Sequence, residues 1–107
     1  MITKIEENEG VMTVYLEGRM DTSASSKTEN ELKPVYETEC KEIIIDCDKL
    51  DYIVSSGLRL FLKMLLETQP QGKHITVRNM GKMLREVFDE TGFSELFDFI
   101  ESTKIKN

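Results

Sequence analysis

The chain has 107 residues, 39% of them apolar, the size and make-up of one globular domain. A domain of this length buries roughly 60–70% of its extended-chain surface and needs no disulfide or metal to hold it. Its 20 acidic and 14 basic residues leave a net charge of −6, which argues against nucleic acid or an anionic membrane held by a broad basic surface.

Residues 2–7 (ITKIEE) and 11–17 (VMTVYLE) flank the turn signal Asn8-Glu9-Gly10. In the second segment Met12, Val14 and Leu16 alternate with Val11, Thr13 and Tyr15, the period of a strand, so the chain is expected to open with a hairpin. Gly18 is expected to end that strand. Asp21-Thr22-Ser23 then offers N-cap chemistry, with Asp21 as the cap of a helix over 22–37. Ala24, Leu32, Val35 and Tyr36 would share its face, and Pro34 disrupts its later part.

Residues 42–47 (EIIIDC) are the clearest strand. Three successive isoleucines predict burial on both faces, as in a central strand covered by helices. Asp48-Lys49 reads as a polar turn leading to Leu50-Asp51-Tyr52-Ile53. From Leu58 the period becomes helical: Leu58, Phe61, Leu62 and Leu65 form one stripe, and Arg59, Lys63 and Glu67 lie opposite it. Lys63 and Glu67 have the spacing of an i,i+4 pair. Pro70 and Gly72 close this helix.

Residues 73–78 (KHITVR) predict another strand, and a helix starting at Asn79 or Met80 follows, with Met80, Leu84, Val87 and Phe88 as its stripe. Thr91-Gly92-Phe93 stops it, glycine suiting a left-handed cap. A short strand, FDFIE, ends the core, and the last residues, STKIKN, read as frayed. The order β-β-α-β-α-β-α-β predicts an α/β fold with a mixed, mainly parallel sheet of about five strands. In such sheets partners favour the loops at the carboxyl ends of the strands. Asp21 and Ser55 fall on two of those loops.

Cys40 and Cys47 lack the spacing of a zinc or redox pair and read as unpaired structural thiols. His74 is the single histidine and reads as a strand residue rather than a ligand. No apolar run approaches the roughly 18–20 residues of a membrane span. The first ten residues lack an apolar signal region, so a cytoplasmic location is expected.

The junction Val54-Ser55-Ser56-Gly57-Leu58 carries the remaining chemistry. Serine is a good N-cap, which supplies a purely structural reading. A nucleophile needs a base and an orienting acid, and VSSGL is not GxSxG, so a serine-dependent enzyme finds little support. No phosphate-binding glycine motif occurs. The third reading is phosphorylation. A phosphate on Ser55 would bring about −1.5 to −2 charge to the positive end of a helix, with Arg59 one turn along.

The segment LDYIVSSGLRLFL, preceded by IIID, resembles the signature of STAS domains, and more narrowly that of the bacterial anti-sigma factor antagonists that work by partner switching. In that family a strand ending in L-x-D/N leads through an aromatic or apolar stretch into D/S-S-S/T/A-G-L, which opens a helix. Val14-Tyr15-Leu16-Glu17-Gly18-Arg19-Met20-Asp21 is similar to its V-x-L-x-G-x-x-D segment. Val87 to Phe97 resemble its V-x-x-x-F-x-x-x-G-F/L-x-x-L-F tail, with one-residue differences of spacing. The likeness covers about residues 2–100 of a single domain over 1–107, leaving a short tail at 101–107.

The resemblance implies a monomeric switch without cofactor, metal or catalysis of its own. In its unphosphorylated form such a protein binds an anti-sigma factor serine kinase and thereby frees a sigma factor. The kinase phosphorylates the serine that aligns with Ser55, and a PP2C-type phosphatase restores the hydroxyl. Ser56 is the second candidate acceptor. Partner contacts are expected from Asp21, Met20, Thr22, Val54, Ser56, Gly57, Arg59 and Lys63. Val54 stands where the family commonly carries Asp or Ser. The alternative within the same fold is a non-phosphorylated adaptor or scaffold module.

Overall fold

Strands β1 (Ile2–Asn8) and β2 (Val11–Met20) pair antiparallel, from Ile2 opposite Glu17 to Asn8 opposite Val11. Glu9 and Gly10 both take positive φ, 52° and 82°, the two-residue turn whose twist matches its flanking strands. The computed structural model describes residues 1–101, so the frayed tail expected at 102–107 lies outside the described residues.

Three further strands add in chain order: β3 (Glu42–Ile53), β4 (His74–Arg78) and β5 (Asp98–Ile100). Each runs parallel to its predecessor, giving the mixed, mainly parallel sheet of five strands that the element order predicts. Strands β1, β4 and β5 fall within one residue of their expected ends, while β2 and β3 run further than expected. β2 passes through Gly18, which takes a φ of 103°, and continues to Met20. β3 does not turn at Asp48-Lys49 but runs as one strand to Ile53. Between the pairs Tyr15↔Asp46 and Glu17↔Lys49, β3 carries one more residue than β2, a bulge. There the Asp48 N–H donates to Asp46 Oδ1 at 3.0 Å. Turn-forming side chains thus bend a strand without ending it.

The helices lie on one face of this sheet. Met12, Val14 and Leu16 of β2, Ile43, Ile45 and Cys47 of β3, and Ile75 and Val77 of β4 point into a shared core. Their alternates Tyr15, Ile44 and Thr76 are only half-buried. Burial on both faces of the isoleucine run is therefore corrected to burial on one, because no helix among the described residues covers the other side. Cys40 and Cys47 are buried and unpaired, as expected.

The single helix expected over 22–37 is two, α1 (Thr22–Glu31) and α2 (Lys33–Glu37), meeting at Leu32. Pro34 falls in the first turn of α2, where no backbone N–H is needed. Leu32 and Val35 are buried as expected, while Ala24 and Tyr36 are half-buried. Ser25 and Thr28 complete the inward face. Lys73 is buried and donates through Nζ to the carbonyls of Val35 (3.3 Å) and Tyr36 (3.2 Å), tying the end of α2 to the start of β4.

Helix α3 (Ser55–Thr68) starts three residues before the expected Leu58. Its buried face is Gly57, Leu60, Phe61, Met64, Leu65 and Thr68, so Leu58 and Leu62 lie at the margin of the stripe. Helix α4 (Lys82–Thr91) starts later than expected, capped by Gly81, and ends on left-handed Gly92 as expected. Leu84 and Phe88 are its buried residues, whereas Met80 and Val87 are half-buried. Phe61, Phe88 and Phe97 meet with ring centroids 5.2 to 6.1 Å apart, uniting α3, α4 and the approach to β5.

Candidate functional site at the ends of β2 and β3

Strands β2 and β3 finish side by side, with Met20 opposite Ile53. The Val54 N–H donates to the Met20 carbonyl at 3.1 Å, so the chain leaves β3 bonded to the last residue of β2. Asp21 begins α1 and Val54 precedes α3, which places two helix N-termini next to each other on one edge of the sheet.

Asp21 caps α1 as its position in the sequence predicts. Its carboxylate accepts from the Ala24 N–H at 3.0 Å and from the Ser23 hydroxyl at 2.9 Å. These two bonds, the backbone one foremost, hold the Asp21 carboxyl below its ordinary pKa. The N-terminus of α3 is built differently, and the expected serine cap is absent. Val54 is still extended at φ −110°, and its carbonyl takes the N–H groups of both Gly57 and Leu58. The helix therefore begins with Ser55 and Ser56 inside its first turn. No side chain caps it, and the N–H groups of Ser55 and Ser56 have no acceptor among the described residues.

The two hydroxyls have opposite surroundings. Ser55 is exposed, and its side chain makes no hydrogen bond with any described residue. Ser56 is half-buried and turned toward α1, where its Oγ lies 2.8 Å from Ser25 Oγ. Gly57, the next residue, packs onto the strand ends. A Cβ there would sit 2.6 Å from Met20 Sδ and 2.7 Å from Ile53 Cγ1, closer than side chains approach. Glycine is required here by contact, not by backbone angle.

These facts sort the expected partner-contact residues. Asp21, Thr22, Val54 and Arg59 lie at or around the Ser55 edge with at least part of their surface open. Met20 is a correction: it is fully buried beneath Gly57 and shapes the site only from below. Gly57 is buried too. Lys63 does not pair with Glu67. Its Nζ donates to Glu29 Oε2 of α1 at 2.7 Å, and that bond raises its pKa. The helix-to-helix partner wins because α1 lies against the same flank of α3.

Two features escape the sequence reading. Ser25 is the residue that reaches Ser56, and its signal is its position four after Asp21 and three before Thr28, on the face that later carries Leu32 and Val35. Arg19 stacks its guanidinium 4.2 Å from the centre of the Tyr52 ring. This joins the last turns of β2 and β3 on the exposed side of the same edge.

No group of three His, Cys, Asp or Glu side chains could hold a metal among the described residues. A groove of about 480 Å³ lies elsewhere, on the face of the sheet opposite the described helices, with Lys4, Tyr15, Asp46, Lys49, Arg78 and Asn79 in its wall. At its base buried Asp46 accepts from Arg78 Nε at 2.7 Å and from Asn79 Nδ2 at 3.3 Å. No helix among the described residues is long and apolar enough to cross a membrane.

Comparison with known proteins agrees with this architecture. The family model described as STAS domain matches residues 3–105. BtrV of Bordetella bronchiseptica, described provisionally as an anti-sigma factor antagonist, is 24% identical over 98 residues, spanning 92% of this chain and 84% of its own. The anti-sigma-B factor antagonist of Staphylococcus aureus is 23% identical over 93 residues, spanning 87% and 86%. Among solved structures, Bacillus SpoIIAA superposes in its unphosphorylated form with a TM-score of 0.80, at 19% identity over 96% of this chain and 90% of that one. Its phosphorylated form superposes at 0.74, again at 19% identity, over 96% of this chain and 93% of that one.

Proposed function

The chain belongs to the STAS domain family, and from that premise we propose that it is an anti-sigma factor antagonist switched by phosphorylation of Ser55. The observation that carries the reading is the pair of serines. The Ser55 hydroxyl, at the first position of α3, is exposed and unbonded among the described residues, whereas that of Ser56 is turned to α1. The names of BtrV and the Staphylococcus aureus relative support the antagonist role. The two forms in which SpoIIAA is solved support a phosphate switch on this fold.

In the unphosphorylated state the edge around Ser55, with Asp21, Thr22, Val54 and Arg59, docks on an anti-sigma factor serine kinase and frees its sigma factor. Phosphorylation moves the γ-phosphoryl group of ATP to Ser55 Oγ. The bond from phosphorus to the ADP oxygen breaks, the Oγ–P bond forms, and the hydroxyl proton passes to a base of the kinase. A PP2C-type phosphatase reverses the state by hydrolysis. The reading assigns no catalysis to this chain, and its partners place it in the cytoplasm.

The fold should accept the phosphate because the free N–H groups of Ser55 and Ser56 and the helix dipole favour an anion there. The docked partner should not. An interface fitted to a neutral hydroxyl would face an unpaired dianion of about −1.5 to −2. A buried unpaired charge costs about 3–5 kcal/mol, a hundred- to several-thousand-fold in affinity.

The test is incubation with the anti-sigma factor serine kinases of the same genome and ATP, followed by mass spectrometry. Phosphate is expected at Ser55 and should vanish in Ser55→Ala. Ser55→Asp should fold normally and bind the kinase at least about tenfold more weakly, since aspartate carries less charge than phosphate. Tight kinase binding with no phosphate on the wild type would instead indicate a binding-only adaptor.

A further inference from the structure

The Ser25 hydroxyl donates its single hydrogen to the Asp21 carbonyl at 2.9 Å, and a carbonyl can only accept. The 2.8 Å contact between Ser25 Oγ and Ser56 Oγ therefore has one assignment: Ser56 donates and Ser25 accepts. A chain of hydroxyls runs from α3 through α1 to the backbone of Asp21. Ser25 is nearly buried, so the chain is shielded, and it turns the Ser56 oxygen away from the exposed edge.

We infer that Ser25 is a positioning residue that decides which serine of the pair accepts phosphate. It engages the Ser56 proton and leaves Ser55 as the one free acceptor. The inference rests on the phosphorylation reading above and supplies the basis of its site choice.

The chemistry at Ser56 shows why. Transfer there would form an Oγ–P bond with the γ-phosphoryl group of ATP and break its bond to ADP. It would also release the same proton that Ser25 now accepts. The bond to Ser25 must break first. The resulting phosphate would then face the Ser25 oxygen and the Asp21 carbonyl, both bearing partial negative charge. Ser55 meets neither obstacle, because its exposed hydroxyl has no partner to leave among the described residues.

Thr28 provides an internal control. It lies on the same inward face of α1, is buried more deeply than Ser25, and its Oγ1 makes no hydrogen bond with any described residue. Truncating Thr28 to alanine removes buried side-chain volume from the inward face of α1, and so loosens its packing, without touching the Ser56 hydroxyl.

The experiment maps phosphate on the wild type, Ser25→Ala, Ser25→Ala/Ser55→Ala and Thr28→Ala after incubation with anti-sigma factor serine kinase and ATP. The wild type should carry phosphate at Ser55 and only traces at Ser56. Ser25→Ala should raise Ser56 occupancy by about three- to tenfold, the range a neutral hydrogen bond commands. The double variant should keep its phosphate on Ser56, and Thr28→Ala should match the wild type. If Ser55 is modified but Ser56 stays at trace level in Ser25→Ala, the role of Ser25 is overturned while the phosphorylation reading stands. An equal rise in Thr28→Ala also overturns it, since loosening alone would then suffice. Wild type with no phosphate at Ser55 overturns both.

Discussion

Gly57 lies where α3 presses on the ends of β2 and β3, and its missing side chain is part of the fit. In an exposed helix an alanine in place of glycine gains about 1 kcal/mol. Here the added Cβ would meet Met20 Sδ at 2.6 Å and Ile53 Cγ1 at 2.7 Å. Overpacking of this kind costs about 1–3 kcal/mol, which offsets or exceeds the gain. Gly57→Ala is expected to lower stability by up to about 2 kcal/mol, read from the midpoint of a urea titration. A stabilised variant would mean that Met20 and Ile53 move aside freely. At this scale the sequence is most legible where the chemistry is local. Asp21 can be read as a cap because it bonds a residue three positions on, and Ser55 stands out within its motif. Ser25 is hidden because its partner is 31 residues away.

Elements carry their own consequences, and the clearest is at the edge where β5 joins. His74 places Nε2 2.5 Å from Asp98 Oδ2 and Nδ1 3.2 Å from Glu42 Oε1, bridging β3, β4 and β5. These acids, Asp98 first and Glu42 next, raise the His74 pKa above its ordinary value. A raised folded-state pKa contributes stability that is full below the ordinary histidine value of about 6.5 and is lost as pH rises through the folded value. Amide protection of Asp98–Ile100, corrected for intrinsic exchange, should therefore be higher at about pH 6 than at about pH 8. His74→Gln should remove that difference, and a difference that persists would assign it to another group.

The same scale shows where element boundaries elude the sequence. Asp48 and Lys49 are turn-type residues, yet the pairing with β2 continues past them and converts the turn into a bulge. Neighbouring strands, not local preference, decide how far β3 runs. The start of α3 is lost for a related reason. Its first turn is set by the carbonyl of Val54, an extended residue held by Met20, rather than by a side-chain cap. Lys63 is misassigned because spacing along one helix says nothing of Glu29 on another.

At the scale of the whole molecule, the one-sided core makes the aromatic cluster its keystone. Phe88 is fully buried and meets Phe61, Phe93, Phe97 and Phe99 within 6.1 Å of ring centroids. Phe88→Ala is expected to cost about 3–5 kcal/mol, with an unchanged denaturant slope if unfolding stays all-or-none. A loss below about 1 kcal/mol would show that the cluster is not shared by the elements it touches. The order of strands in space, β1 to β5, is also their order along the chain. Each pairing closes only the segment that has just preceded it, and loop-closure entropy grows with the length enclosed. A polypeptide emerging from the ribosome amino end first can lay each strand beside the last as it appears. No strand has to wait for a distant partner or be threaded between two already in place.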